Sequence, residues 1–205
     1  MKDRHIALAM TGASGAQYGL RLLECLLGAG CRVSLMVSRP AQVVIDMETD
    51  LGLPGRAVDI RRFFCERHGV PEARLSVYGR EEWTAPLASG SSVPDAMAVC
   101  PCTTATVSAL ATGASRTLIE RAGDVVLKER RPLVLVVRET PFSVIHLENM
   151  LTLARAGAVI LPANPGFYHR PQDVGGLVDF VVARTMDHLG VPQSLIARWG
   201  EGGGD

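Results

Sequence analysis

The sequence predicts a single-domain, doubly wound α/β protein, and three observations carry that prediction. Short, wholly apolar runs recur along the chain, segments of helical period separate them, and a turn of small residues follows the first run directly. A strand apolar on both faces must be covered on both faces, which points to a parallel sheet between two helical layers. Right-handed crossovers then limit the topology. Sheets of this kind take their ligands beyond the carboxyl ends of the strands.

Element by element, Ile6-Ala-Leu-Ala-Met10 reads as the first buried strand and Thr11-Gly-Ala-Ser-Gly15 as the turn after it. A helix from Ala16 to Leu27 puts Leu20, Leu23 and Leu27 on one face, with Gly28 and Gly30 ending it. Val33-Ser-Leu-Met-Val37 is a second strand, and a helix follows over 41–49. Residues 50–80 break the rhythm. They scatter Arg56, Arg61, Arg62, Arg67, Arg74 and Arg80 among Gly and Pro, which predicts a surface excursion with at most one short helix. Ala96-Met-Ala-Val-Cys100 is the third strand, with a helix over 103–112. Leu133 to Arg138 is the fourth, with a helix from Pro141 to Ala156. Val159-Ile-Leu161 is the fifth, and Val174 to Leu189 the last helix. Residues 1–199 read as the domain and 200–205, Gly-Glu-Gly-Gly-Gly-Asp, as a flexible tail. The carboxyl-end rule selects 11–15, 38, 101–106, 138–141 and 162–170 as candidate site loops.

Composition removes several function classes. Lys+Arg and Asp+Glu both number 21, so a neutral chain has no broad attraction for nucleic acid or anionic lipid. At 47% hydrophobic residues it is not disordered. No stretch approaches the ~18–20 apolar residues of a membrane span. Five irregularly spaced cysteines (25, 31, 65, 100, 102) argue against paired disulfides and for a reducing, cytoplasmic setting. Cys100 and Cys102 form C-x-C without a second pair, and no histidines have ligand spacing, so no metal site is expected.

Four segments could carry chemistry. Small residues at 11–15 allow a phosphate to approach free N–H groups at a helix start, although a tight turn without a ligand fits the same residues. Pro101-Cys-Thr-Thr-Ala-Thr106 offers hydroxyls that either cap a helix or hold a phosphate or ribityl chain. Between 116 and 138, Arg116, Arg121, Lys128, Arg130, Arg131 and Arg138 outnumber Glu120, Asp124 and Glu129. A solvated helix face explains Arg130 and Arg131. Lys128 is different: the basic residues are 19 Arg and 2 Lys, and the other Lys is Lys2. A compact ammonium suits a phosphoryl group. Finally, Arg138-Glu-Thr-Pro141 at a strand end can bind an anion and move a proton, or simply form an ion pair.

Thr11-Gly-Ala-Ser-Gly-Ala-Gln-Tyr-Gly19, Met47-Glu-Thr-Asp50, Trp83 to Ser91, Ala122 to Pro141 and Pro165-Gly-Phe-Tyr-His-Arg-Pro171 together resemble the UbiX/Pad1 flavin prenyltransferases. The resemblance runs from Ile6 to Trp199 and is most specific over 122–141. It implies a flavodoxin-like fold, reduced FMN as cofactor and dimethylallyl phosphate as co-substrate. The implied reaction joins the dimethylallyl group to N5 and C6 of the flavin, and a UbiD-type decarboxylase uses the prenylated FMN. By resemblance, Gly12, Ala13, Ser14, Ser38, Ser89, Thr103, Thr104, Ala105, Thr106 and Arg138 hold FMN. Arg121, Lys128, Glu139, Tyr168 and Arg184 surround the donor phosphate. Ser14 and Glu48 resemble the pair that moves protons near the flavin. Trp83 and Trp199 offer electron-rich faces, although two Trp in a domain are ordinarily packing residues. The family forms large homo-oligomers, dodecamers, with sites between subunits, and needs no metal. Thr103 and Ala105 depart from the family's usual Ser and Gly or Lys, and the 50–80 stretch is longer and richer in Arg than expected.

Two other readings stand beside this one. A flavin-dependent cysteine decarboxylase of the same superfamily is expected to carry Pro-Ala-Ser-Ala-Asn-Thr and Pro-x-Met-Asn, where this chain has Pro101-Cys-Thr-Thr-Ala-Thr106 and Pro162-Ala-Asn-Pro165. The other is a non-catalytic FMN-carrying small subunit of an aromatic-acid decarboxylase complex.

Overall fold

A computed structural model describes residues 4–196. Six parallel strands form one sheet in the order β3-β2-β1-β4-β5-β6. They are β1 His5–Met10, β2 Arg32–Val37, β3 Leu75–Tyr78, β4 Ala96–Cys102, β5 Leu133–Val137 and β6 Val159–Pro162. The helices are α1 Ala16–Gly28, α2 Arg39–Glu48, α3 Ala57–His68, α4 Thr104–Ala111, α5 Leu118–Lys128, α6 Val144–Arg155 and α7 Val174–Leu189.

Strand alternation sorts the core into two layers, because successive side chains leave opposite faces of a strand. Ile6, Leu8 and Met10 of β1 join Ala96, Ala98 and Cys100 of β4 under α1, α2, α3 and α7. Ala7 and Ala9 join Met97, Val99 and Cys102 on the other side, under α4, α5 and α6. This is the three-layer, flavodoxin-like arrangement expected. The crossover from β3 to β4 has no α-helix. Ala85 and Leu87 of that segment bury against the second layer and fill the place a helix would occupy. No helix among the described residues is long and apolar enough to cross a membrane.

The structure corrects the sequence reading at 50–80. That stretch holds a full helix, α3, and a sixth strand, β3, paired in parallel with β2 from Val33↔Leu75 to Met36↔Tyr78. Its arginines are not merely solvated. Arg61 donates from Nε to Leu75 O at 2.9 Å and from Nη2 to Glu72 O at 2.7 Å, and Arg74 donates to Gly30 O at 2.9 Å. Guanidinium forks here close carbonyls that the edge of the sheet would leave open.

One glycine sets how closely α1 lies on the sheet. A Cβ on Gly19 would sit 2.3 Å from the Cys100 carbonyl oxygen of β4, a backbone atom that cannot swing aside. Gly28, at the end of the same helix, faces open space. Gly19→Ala is therefore expected to cost about 1–3 kcal/mol in urea unfolding. Gly28→Ala should gain a few tenths to about 1 kcal/mol through helix propensity. Equal effects at the two positions would contradict the packing described.

Candidate active site at the sheet switch point

β1 and β4 are neighbours, yet the chain leaves β1 for one helical layer and β4 for the other. The strand order reverses between them, and a crevice opens at their carboxyl ends, where doubly wound sheets bind ligands. The loops at 12–15, 38, 103–106 and 138–140 all leave this edge.

The turn after β1 differs from the simple phosphate cradle that its small residues suggest. Gly15 has φ 104° and precedes α1 without a side-chain cap of its own. The cap comes from the last residue of α2. Glu48 Oε2 accepts the Gly15 N–H at 2.9 Å and the Ala16 N–H at 2.8 Å. The positive end of α1 is thus met by the protein's own carboxylate, and an incoming phosphate does not find those donors free. Ser14 also hydrogen-bonds Glu48, which brings the two residues of the suspected proton-moving pair together. Burial alone would raise the Glu48 carboxyl. The hydrogen bonds from Ser14, Ala16 and Gly15, with the charge of Arg138, outweigh that and hold it below its ordinary 4.5. Ser38 caps α2, accepting from Ala41 N–H at 3.1 Å. Gly12 is forced by contact: a Cβ there would lie 2.4 Å from Pro40 Cβ.

Across the crevice, Thr103 is the N-cap of α4. Its Oγ1 accepts the Thr106 N–H at 3.2 Å and lies 2.9 Å from the Thr106 hydroxyl. Thr104 Oγ1 reaches Glu139 Oε2 at 3.5 Å, and Glu139 Oε1 accepts the Thr140 N–H at 3.0 Å. Arg138 Nε is buried without a hydrogen-bond partner. A buried, unsatisfied guanidinium N–H beside ionisable and hydroxyl groups is a donor waiting for an acceptor. With the threonine hydroxyls it makes a donor set, beside a turn whose small residues leave room, that fits a phosphorylated, carbonyl-bearing flavin. Cys100 and Cys102 beneath are fully buried, and burial pushes both thiols up, so neither serves as a nucleophile.

The other described sequence candidates lie on α5, α7, the β3–β4 crossover and the β6–α7 loop. Arg121 Nε donates to Ala88 O at 3.1 Å and pairs with Asp124 at 3.0 Å. Lys128, at the far end of α5, is ion-paired with Glu129. A Cβ on Gly90 would lie 2.9 Å from Lys128 Nζ, and Ser89 is its neighbour. Gly90 leads into the start of β4 and Lys128 into the start of β5, so Lys128 and Ser89 lie toward the amino-terminal edge of the sheet. Strands at about 3.3 Å per residue put roughly 20 Å between the two edges. Within a protomer, Ser89 and Lys128 thus lie away from residues 12–14, because α5 runs antiparallel to the strands. Trp83 follows Arg80, whose carbonyl accepts the Leu118 N–H of α5; at 47% exposure it is no core residue. Tyr168 is exposed in the β6–α7 loop. A Cβ on Gly166 would lie 2.9 Å from both the Tyr168 and Phe180 rings, and Arg184 is one turn beyond Phe180 on α7. Tyr168 and Arg184 therefore border one strip, where Arg184 pairs with Asp187 at 2.8 Å. Trp199 and the tail at 200–205 lie outside the described residues. Sequence reasoning overlooked Thr11, a buried polar residue that bridges the two lips of the crevice. Its signal was a hydroxyl at the end of an otherwise apolar run.

Comparison with known proteins gives a consistent result. The Flavoprotein family model matches residues 1–186. The chain is 60% identical over 196 residues to the flavin prenyltransferase UbiX of Pseudomonas aeruginosa, covering 96% of this chain and 94% of that protein. Its fold matches the crystal structure of AnUbiX (PadA1) in complex with FMN and dimethylallyl pyrophosphate. The TM-score is 0.85 at 38% identity, over 97% of this chain and 98% of that one. It also matches a dodecameric FMN-dependent UbiX-like decarboxylase from Escherichia coli O157:H7, with TM-score 0.82 and 37% identity over 95% and 98% of the two chains.

The Glu48 cap carries a pH signature. A carboxyl held lower in the folded state than its ordinary 4.5 contributes stability above that value and loses it as pH falls through the folded value. Glu48→Gln is expected to cost about 0.5–2 kcal/mol at pH 7, as loss of a helix cap does. That difference should shrink steadily below pH 4.5 in urea melts. A gap that stays constant down to pH 3 would count against the ionised cap.

Proposed function

The chain belongs to the flavin prenyltransferase family of flavoproteins, and from that membership we infer its reaction. It joins the dimethylallyl group of dimethylallyl phosphate to N5 and C6 of reduced FMN, making prenylated FMN for a UbiD-type decarboxylase in the cytoplasm. The observation that carries the reading is the crevice donor set. The unpartnered Arg138 Nε and the Thr103–Thr106 hydroxyls face a small-residue turn, in a chain similar over nearly its whole length to a flavin prenyltransferase.

Gly12, Ala13, Ser14, Ser38, Thr103 to Thr106 and Arg138 hold the flavin, which supplies the nucleophilic nitrogen and ring carbon. The protein's own task is set by the donor. An allylic phosphate must part with a poor leaving group, so positive charge is needed on the phosphate and electron-rich faces beside the allylic carbon. Arg121, Lys128 and Arg184 supply the charge and Tyr168 a hydroxyl. Trp83 supplies an indole face, a contact of ~0.5–2 kcal/mol. Glu139, already fixed by Thr140 N–H, is set to manage a proton on the phosphate. Glu48 accepts from the Ser14 hydroxyl, which leaves the Ser14 oxygen as an acceptor on the flavin side and makes Glu48 the group that takes a proton passed through it.

Lys128 and Ser89, toward the other edge of the sheet, meet the crevice groups only if subunits meet. We assign Lys128, Arg121 and Ser89 of one protomer to complete the crevice of a neighbour in a homo-oligomer, a dodecamer like the E. coli protein. The contact surface is α6, whose Val144, Ile145, Leu147 and Leu151 are 69%, 68%, 52% and 49% exposed, an apolar stripe that a monomer would not leave in water.

Three outcomes test this reading. Anaerobic incubation with reduced FMN and dimethylallyl phosphate should raise the flavin mass by one prenyl unit, and an unchanged flavin mass would refute the reaction. Lys128→Ala should leave FMN affinity within about twofold while lowering the prenylation rate at least about tenfold; turnover equal to wild type removes Lys128 from the phosphate. Leu147→Glu with Leu151→Glu should convert the oligomer to smaller species by light scattering, with the circular dichroism spectrum retained. An intact oligomer would move the contact elsewhere.

A further inference from the structure

One hydroxyl joins the two lips of the crevice. The regular β1–β4 register runs from Ile6↔Ala96 to Ala9↔Val99. Beyond it Thr11 N–H donates to Pro101 O at 3.1 Å, one residue further along β4 than that register would give. The following rung would run from Thr103 N–H to the Thr11 carbonyl. That carbonyl is taken by Ala13 N–H at 2.9 Å, which closes the turn before Ser14. Instead, Thr103 N–H donates to Thr11 Oγ1 at 2.9 Å, and that hydroxyl donates its own proton to Pro101 O at 2.8 Å. Thr11 is 4% exposed, so water does not substitute for either bond.

We propose that Thr11 is a positioning residue for flavin binding: its hydroxyl continues the β1–β4 ladder one rung past the point where the backbone turns away. The proposal rests on the flavin reading above. Thr11 fixes the separation between the Gly12–Ser14 turn and Thr103, the residue that caps α4 and orients Thr106. The backbone does not do this itself, because the Thr11 carbonyl is turned to the Ala13 N–H and the Thr103 N–H meets the side-chain oxygen instead. A side chain with one donor and one acceptor at the same atom is required, which Ser retains and Val lacks. Cys keeps nearly the size of Ser but is a weak donor and acceptor.

The test uses the flavin-free full-length protein with wild type, Thr11→Ser, Thr11→Cys and Thr11→Val. FMN affinity is read by fluorescence titration, and amide hydrogen exchange is read at residues 103–106 before flavin is added. Thr11→Ser should bind FMN within about threefold of wild type, while Thr11→Cys and Thr11→Val weaken it by about tenfold or more, as loss of a buried partner implies. Exchange at 103–106 should quicken in the Cys and Val variants and not in Ser, with β5 amides unchanged in all. Wild-type affinity and exchange in Thr11→Cys overturns the proposal, and so does a tenfold loss in Thr11→Ser. If Thr11→Val does not fold, the Cys and Ser pair decides. If wild type binds no FMN, the flavin reading fails, and the exchange comparison still judges the latch by itself.

Discussion

Because β1 and β4 lie side by side and their chains then turn to opposite faces, the sheet must open at their carboxyl ends. Everything polar in the crevice answers that opening. The first N–H groups of α1 need an acceptor there, and α2 brings Glu48. The start of α4 needs a cap and finds Thr103. The two turns also need to be held apart at a fixed distance, a need the Thr11 hydroxyl meets. Gly19 belongs to the same constraint, since α1 can lie against β4 only where no Cβ meets the Cys100 carbonyl.

Elements buried on both faces were legible in the sequence, and the sheet edge was not. Residues 6–10, 96–100 and 133–137 are apolar throughout, and 33–37 are apolar but for the buried Ser34, because helices cover both faces, and that leaves an unmistakable run. β3 has four residues, of which only Leu75 is buried, so its pattern is too short and too mixed to stand out. The arginines around it compounded the miss. Read as charge they suggest water, yet Arg61 and Arg74 spend their donors on backbone carbonyls. Composition registers the guanidinium but not which acceptor it meets.

For the site, the loops that meet at one edge of the sheet were readable, while the placement of Lys128 was not. Glu48 comes to Ser14 from the carboxyl end of α2, but Thr104 beside Glu139 follows from strands ending at one edge, which the βα rhythm already implies. Lys128 does not. Its oddity as a lysine among arginines marks it, but its position at the far end of α5 depends on helix length and direction. Arg138 illustrates the converse. Its sequence neighbours suggest an ion pair with Glu139, yet its Nε is buried without a partner, and Glu139 turns to Thr140 and Thr104.

Glu48 joins stability to chemistry in a way that limits what it can do. The hydrogen bonds that cap α1 are the ones that hold its carboxyl below the usual value, so it is ionised under working conditions and a weak base. Taking a proton outright would weaken its hold on Gly15 and Ala16 and leave the end of α1 less well met. Ser14 already donates its hydroxyl proton to Glu48, so a proton that Ser14 took from a ligand would displace its own onto the carboxylate, and proton movement in the crevice is coupled to the cap.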